Sequence, residues 1–241
     1  MKNKIIVWLI VFSPLSLFGQ KVDSLVQVIR SEYNYIVKNK ESYKKTILYI
    51  DHTQEVTYNE DGSVESVPET ETEEKITCYA DQNNQIKLIT CYRGFSHHHA
   101  MSGTLTEYYL KDGNLFFIFH QTKYVGHEVF DDKGKFIELK DRHTEASEQR
   151  IYTTGDNEEF FVSKDNCIRN LSKSANGKFS EINELLRKTA NVEKNCSDSD
   201  TFYSVKHPVN ILFGRTDGLF DEIISDKSTV NYSMFETLFG K

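Results

Sequence analysis

Three consecutive histidines, His97-His98-His99, are the residues of this chain best suited to chemistry by type and spacing. Imidazole is the commonest metal ligand and titrates near neutral pH. A zinc ion usually needs three protein ligands converging from fixed positions. Neighbouring side chains on a strand point to opposite faces, so His97 and His99 can join one ligand set while His98 cannot. His120 lies on the outgoing strand of the next hairpin, which makes His97, His99 and His120 the candidate zinc ligands. No acidic ligand suggests itself, and no other cofactor is expected. The competing reading, a polar loop between two strands, is favoured.

Cysteine is the second source of chemistry. Cys78, Cys91, Cys167 and Cys196 allow three disulfide connectivities. The sequence-local set, Cys78–Cys91 with Cys167–Cys196, depends on strand register. A two-residue turn at Asn84-Gln85 sets Cys78 opposite Cys91. A three-residue turn at Gln82-Asn83-Asn84 with a bulge sets Cys78 opposite Leu88. The second register gathers Ile76, Cys78, Ala80, Ile86 and Leu88 on one apolar face. All four are disulfide candidates, and buried thiols are the alternative. Catalytic motifs are missing from the sequence. It contains no His-Glu-x-x-His, Gly-x-Ser-x-Gly or phosphate-cradling glycine loop, and no catalytic residue is assigned.

The elements that must position these groups read as mainly β. Val22, Leu25, Val26, Ile29, Tyr33 and Ile36 recur at helical spacing and predict an amphipathic helix over 22–38, with Asp23 and Ser24 near its start. Arg30, Glu32 and Lys38 point away from its apolar stripe. From 45 to 165 a cassette recurs, in which a strand with an aromatic or apolar anchor leads through polar residues to a residue suited to positive φ. The turn position falls at Gly62, Asn84, Gly113 and Gly134, with a degenerate fifth copy at Ile151-Tyr152-Thr153-Thr154-Gly155. Glycine, and next asparagine, occupies left-handed backbone at least cost. Asp-Gly between strand-like runs signals hairpins, and hairpins in series predict a long antiparallel meander. Lys173 to Gly177 reads as a small polar linker, and Phe179, Ile182, Leu185, Leu186 and Ala190 predict a second helix near 178–192. Apolar clusters such as Ile211-Leu212-Phe213 and Met234-Phe235 predict that the tail, within 178–241, docks on the body.

The first 19 residues set the compartment. Lys2 and Lys4 precede an apolar run from Ile5 to Phe12, Ser13-Pro14 interrupts it, and Gly19-Gln20 leads into charged sequence. That layout is a secretory signal peptide, 1–19, cleaved after Gly19 or Gln20, because a spanning helix needs roughly 20 apolar residues. The expected mature chain, 20–241, is a single exported domain, periplasmic or extracellular and soluble, with no later membrane span. Loss of Lys2 and Lys4 takes the formal charge from −7 to −9. Such a balance lacks the basic footprint of a nucleic-acid binder. The 16 phenylalanines and 13 tyrosines, many consecutive as in Tyr108-Tyr109 and Phe116-Phe117, place aromatic surface on both faces of the meander.

The stretch Tyr108-Tyr109-Leu110-Lys111-Asp112-Gly113-Asn114-Leu115 loosely resembles the β-hairpin repeats of MORN-type bacterial proteins. A leader ending Phe18-Gly19-Gln20 before such hairpins is similar to uncharacterised exported proteins of the Bacteroidota. These resemblances imply an exported hairpin array and supply no catalytic residues. The function expected from the sequence is a non-catalytic binding or interaction domain for an unknown protein or small ligand. The alternative is a metal-dependent cell-envelope hydrolase centred on the His97–His99 loop.

Overall fold

The structure, a computed structural model, describes residues 14–52, 57–58, 64–66, 70–97, 100–154, 162, 165–196 and 237–239. Helix α1 spans Pro14–Asn39. Strands follow at β1 (Lys44–His52), β2 (Thr57–Tyr58), β3 (Val64–Ser66), β4 (Thr70–Ala80), β5 (Ile86–His97), β6 (Ala100–Lys111), β7 (Asn114–Val125), β8 (His143–Thr153) and β9 (Cys167–Lys178). Helix α2 (Ile182–Lys188) and strand β10 (Val192–Lys194) come next. Eight strands form one sheet in the order β1-β4-β5-β6-β7-β8-β9-β10, every pairing antiparallel. The small β2–β3 pair interrupts the succession between β1 and β4. The protein is therefore the mainly β, antiparallel meander with two helices that the cassette implies.

Turn chemistry explains the register. Asn84 has φ +58° and Gly134 has φ +74°. In both turns an aspartate, Asp81 or Asp131, accepts two backbone N–H bonds through Oδ1, from Asn83 and Gln85 or from Lys133 and Lys135, at 2.8–3.0 Å. Asp112 and Gly113, both at positive φ, make the two-residue turn that pairs Lys111 with Asn114. Around Gly134 the flanking segments meet only in an isolated Phe130–Phe136 bridge, so that copy is a short projection in the β7–β8 connection rather than two sheet strands. The Gly62 turn and the end of the fifth copy lie outside the described residues.

Each of three hairpins carries one extra residue just past its turn. Lys87, Phe116 and Ile168 have no partner opposite them, because the pairings step from Ile86 to Leu88, from Leu115 to Phe117 and from Cys167 to Arg169. Such bulges re-aim side chains. Phe116 and Phe117, consecutive in sequence, thus join the same cluster under α1, while Leu115 and Ile118 face the other way. Register at the first hairpin is corrected by the same device. The three-residue turn forms, but the bulge at Lys87 sets Cys78 opposite Ile89, not Leu88 or Cys91, and moves Leu88 to the α1 face.

Both sheet faces are therefore apolar at the turn end. The helix face packs Tyr79, Leu88, Tyr109, Phe117 and Tyr152 against Val26, Ile29 and Ile36 of α1. Leu25 falls off that stripe and is exposed. Asp23 does not cap the helix, which runs on back to Pro14; it pairs with Arg169 at 3.0 Å instead. Proline suits such a first position because it lacks the N–H that would go unpaired there. The far face gathers Ile76, Cys78, Ile89, Leu115, Ile118 and Ile151, with Val162 against them.

At the other end of the helix face lie α2 and the tail. Lys173 to Gly177 is no linker; it is the second half of β9. Ala175 and Gly177 within it are small because α2 crosses above them. Ala175 packs with Ile182 and Leu186, and a Cβ on Gly177 would lie 2.5 Å from Leu185 Cδ1. The second helix is correspondingly shorter than 178–192, since the residues before it close a turn onto Lys140 and Arg142. Val192 opens β10 instead of ending the helix. Residues 237–239 form a helical turn whose Leu238 is buried beside Val125, over Gly103, where a Cβ would approach Leu238 to 2.8 Å.

Candidate functional site

Of the candidate ligands His97, His99 and His120, the structure places His97 and His120, and these two lie apart. His97 pairs with Ala100 and His120 with Thr106, so the two are six positions apart along β6. At roughly 3.3 Å per residue that is about 20 Å, too far to share an ion. His98 and His99 lie outside the described residues. His120 is half-buried, its Nδ1 2.8 Å from Thr106 Oγ1, and burial pulls its pKa down to about 4. Among the described residues no three His, Cys, Asp or Glu side chains converge as a metal site.

Cys167 and Cys196 form a disulfide that ties the start of β9 to the chain after β10. Cys78 and Cys91 are free thiols, separated by the register correction above. Cys91 donates to Glu74 Oε1 at 3.5 Å, and Arg93 binds the other carboxylate oxygen at 3.2 Å. Burial pushes Cys78 up to about 11; burial and the Glu74 charge push Cys91 up to about 12. Thiols so protonated are poor nucleophiles.

A concave site with a volume near 390 Å³ lies between α1 and the middle of the helix face. Its sheet wall is Phe117, Phe119 and Tyr152, and its helix wall includes Ile29 and Tyr33. Tyr33 stands edge-on to Tyr109 and Phe117, with centroids 4.9 and 5.2 Å apart. Two guanidiniums enter this aromatic box. Arg30 donates to Tyr152 Oη at 3.4 Å and lies 5.8 Å over its ring. Arg150 lies 5.9 Å over Phe119. Arg30 thus does not point away from the sheet; its long side chain reaches over from the flank of the apolar stripe.

A belt of buried charge borders the box. Glu148 is shared by Arg150 at 3.0 Å and Lys173 at 3.1 Å, and the Lys173 side chain is only 6% exposed. Glu107, also buried, accepts from Tyr109 Oη at 2.7 Å. Burial pushes Tyr33 upward, Glu107 adds to this, and Tyr109 is raised for the same two reasons. Further along, Lys123 is 2% exposed, donates to Asn183 Oδ1 at 2.7 Å and to the Leu238 carbonyl, and is lowered by burial to about 8. Arg30, Arg150 and Lys173 stand against Glu107 and Glu148, which leaves one surplus positive charge at the box.

A second, more open concavity of about 530 Å³ lies on the far face. Ser102, Thr104, Thr122, Tyr124, Ser147 and Ser174 contribute to it from strands β6 to β9. No motif in the sequence marks these positions, and Ser174 falls in the stretch that reads there as a linker. Nor did any motif mark Arg150 or Tyr33, since the box forms only when α1 crosses β7 and β8. No family model, curated protein or solved structure matches the chain.

Proposed function

We propose that this is an exported, non-catalytic binding domain that takes a small organic anion with an aromatic or other planar body between α1 and the sheet. The observation that carries the reading is the aromatic box with surplus positive charge, Arg30 and Arg150 lying over Tyr152 and Phe119. Ligand sites are typically concave, mostly apolar and fitted with a few polar groups, within roughly 300–1,000 Å³. Planar guanidinium suits carboxylate, sulfonate or phosphate oxygens, and stacked rings suit a flat apolar body. Export is supported by the leader-like residues 1–19 and by the Cys167–Cys196 disulfide, a bond of oxidising compartments. Among the described residues no helix is long and apolar enough to cross a membrane. Cleavage after Gly19 or Gln20 would keep the α1 contacts from Val22 onward.

Calorimetric titration with naphthalene-2-sulfonate and its neutral counterpart 2-naphthalenemethanol tests the reading. The sulfonate is expected to bind with 1:1 stoichiometry and at least about tenfold more tightly, equivalent to ~1.4 kcal/mol. Arg150→Gln should erase that preference, and Phe119→Ala should weaken both ligands. Equal affinity for the two probes, or a preference untouched by Arg150→Gln, would overturn it.

A further inference from the structure

The far-face concavity has its own chemistry, independent of the box under α1. Register places its side chains in rungs across the sheet. One rung runs Phe95, Ser102, Tyr124, Glu145, Asn176; the next runs Arg93, Thr104, Thr122, Ser147, Ser174. From β6 to β9 both rungs carry hydroxyls and the first an amide, Asn176, with Glu145 the one charged side chain. Solvated protein surface is ordinarily about 25–35% Lys, Arg, Glu and Asp, so long charged residues would be expected on an open strand face. Here the side chains are short, and Ser102, Thr104, Thr122 and Ser147 are half-buried. Thr122 and Ser147 hydrogen-bond each other at 2.7 Å, which orients both hydroxyls. Lys123, whose residue also lines the concavity, sends its ammonium to Asn183 and Leu238 on the opposite face. Arg93 is engaged by Glu74.

Two large rings stand on the first rung. Phe95 is 43% exposed and Tyr124 is 40% exposed. They are two strand spacings apart, about 10 Å, with Ser102 between them. The Tyr124 hydroxyl lies 3.1 Å from His127 Nδ1, which steadies the ring.

We infer that this trough binds an uncharged polyhydroxylated chain, an oligosaccharide, with a sugar ring stacked on Tyr124 and hydroxyls bonded to the Ser, Thr and Asn side chains between β6 and β9. Alternating apolar C–H faces and hydroxyl edges of a pyranose match the exposed Tyr124 ring beside a row of short donors and acceptors. A peptide strand is disfavoured, because the backbone groups of these central strands are already paired within the sheet. An acidic chain is disfavoured as well, because neither rung holds a cation free of a carboxylate partner.

Cellohexaose, maltohexaose, xylohexaose and chitohexaose, with hexagalacturonate as the anionic control, are the probes for calorimetry on the full chain. At least one neutral hexasaccharide should bind saturably, with little salt dependence. Tyr124→Ala should weaken it at least about tenfold, and the paired Thr122→Val and Ser147→Ala change should weaken it too, while Arg150→Gln on the other face leaves it unchanged. Absence of binding by all four neutral sugars up to roughly 1 mM would overturn the inference. So would preferential, salt-sensitive binding of hexagalacturonate, or sugar binding that survives Tyr124→Ala.

Discussion

His120 and Lys123 sit three residues apart on β7 and face opposite sides of the sheet, yet each is a titratable group pressed out of water. His120 is kept neutral by burial beside Thr106 rather than by any charge. Its folded pKa is about 4, against about 6.5 in an unfolded chain. Between those values the unfolded state binds a proton that the folded state refuses, so stability falls as pH falls through this window and is complete above it. The slope is up to about 1.4 kcal/mol per pH unit. His120→Gln keeps a partner for Thr106 and cannot titrate. Urea unfolding at pH 7 and at pH 4.5 should therefore show a smaller acid loss in the variant than in the parent. Equal losses would mean that His120 is accessible to protons in the folded protein.

Tight turns set the register of the chain, and one device serves both a sheet hairpin and the projection between β7 and β8. Asp81 and Asp131 each hold a tight turn through two side-chain bonds, with Asn84 or Gly134 at positive φ three residues on. Asn84→Gly should be close to neutral in thermal unfolding. Asn84→Val should cost about 1–2 kcal/mol, the penalty of forcing a branched residue into left-handed backbone. If valine proved as stable as glycine, the turn would not constrain φ at that position. This device was readable in the sequence, because aspartate, asparagine and glycine each have a local reason to be there. The meander and the buried stripe of α1 were readable for similar reasons of short range. Bulges were not: Lys87, Phe116 and Ile168 carry no side-chain signature, and each reverses the facing of everything beyond it. That is why Leu88 was assigned to the wrong face. Lys173 to Gly177 has a linker's composition for a different cause, since Ala175 and Gly177 must be small beneath α2 while Ser174 and Asn176 face the far side of the sheet. Neither candidate site was legible, because Arg30 meets Tyr152 across 122 residues of sequence and the trough is assembled by pairing alone.

At the scale of the molecule, the eight-stranded sheet has a helix face divided among three coverings. α1 lies over the turn end, α2 and the 237–239 turn lie over the other end, and the charged belt of Glu107, Glu148, Arg150 and Lys173 runs between them. Paired charges so poorly hydrated contribute little net stability, so the apolar coverings must hold the fold. α1 contributes most to the turn end. Val26, Ile29 and Ile36 are buried, each worth roughly 1.5–3 kcal/mol against exposure. Arg169 binds Asp23 of α1 at 3.0 Å and Glu193 of β10 at 3.3 Å, and Lys111 binds Glu32 of α1 at 2.8 Å, but such partly exposed pairs add little each. A chain starting at Lys40 would leave Tyr79, Leu88, Tyr109, Phe116 and Phe117 on one uncovered face, an apolar patch of the kind that drives association. Such a chain is expected to be recovered as aggregate or to lose its near-ultraviolet aromatic circular dichroism. One starting at Lys21 should unfold in urea with the same midpoint as the full-length chain. A monomeric, cooperatively folding product from Lys40 onward would refute α1 as the cover of that face, and with it the walls of the proposed anion site.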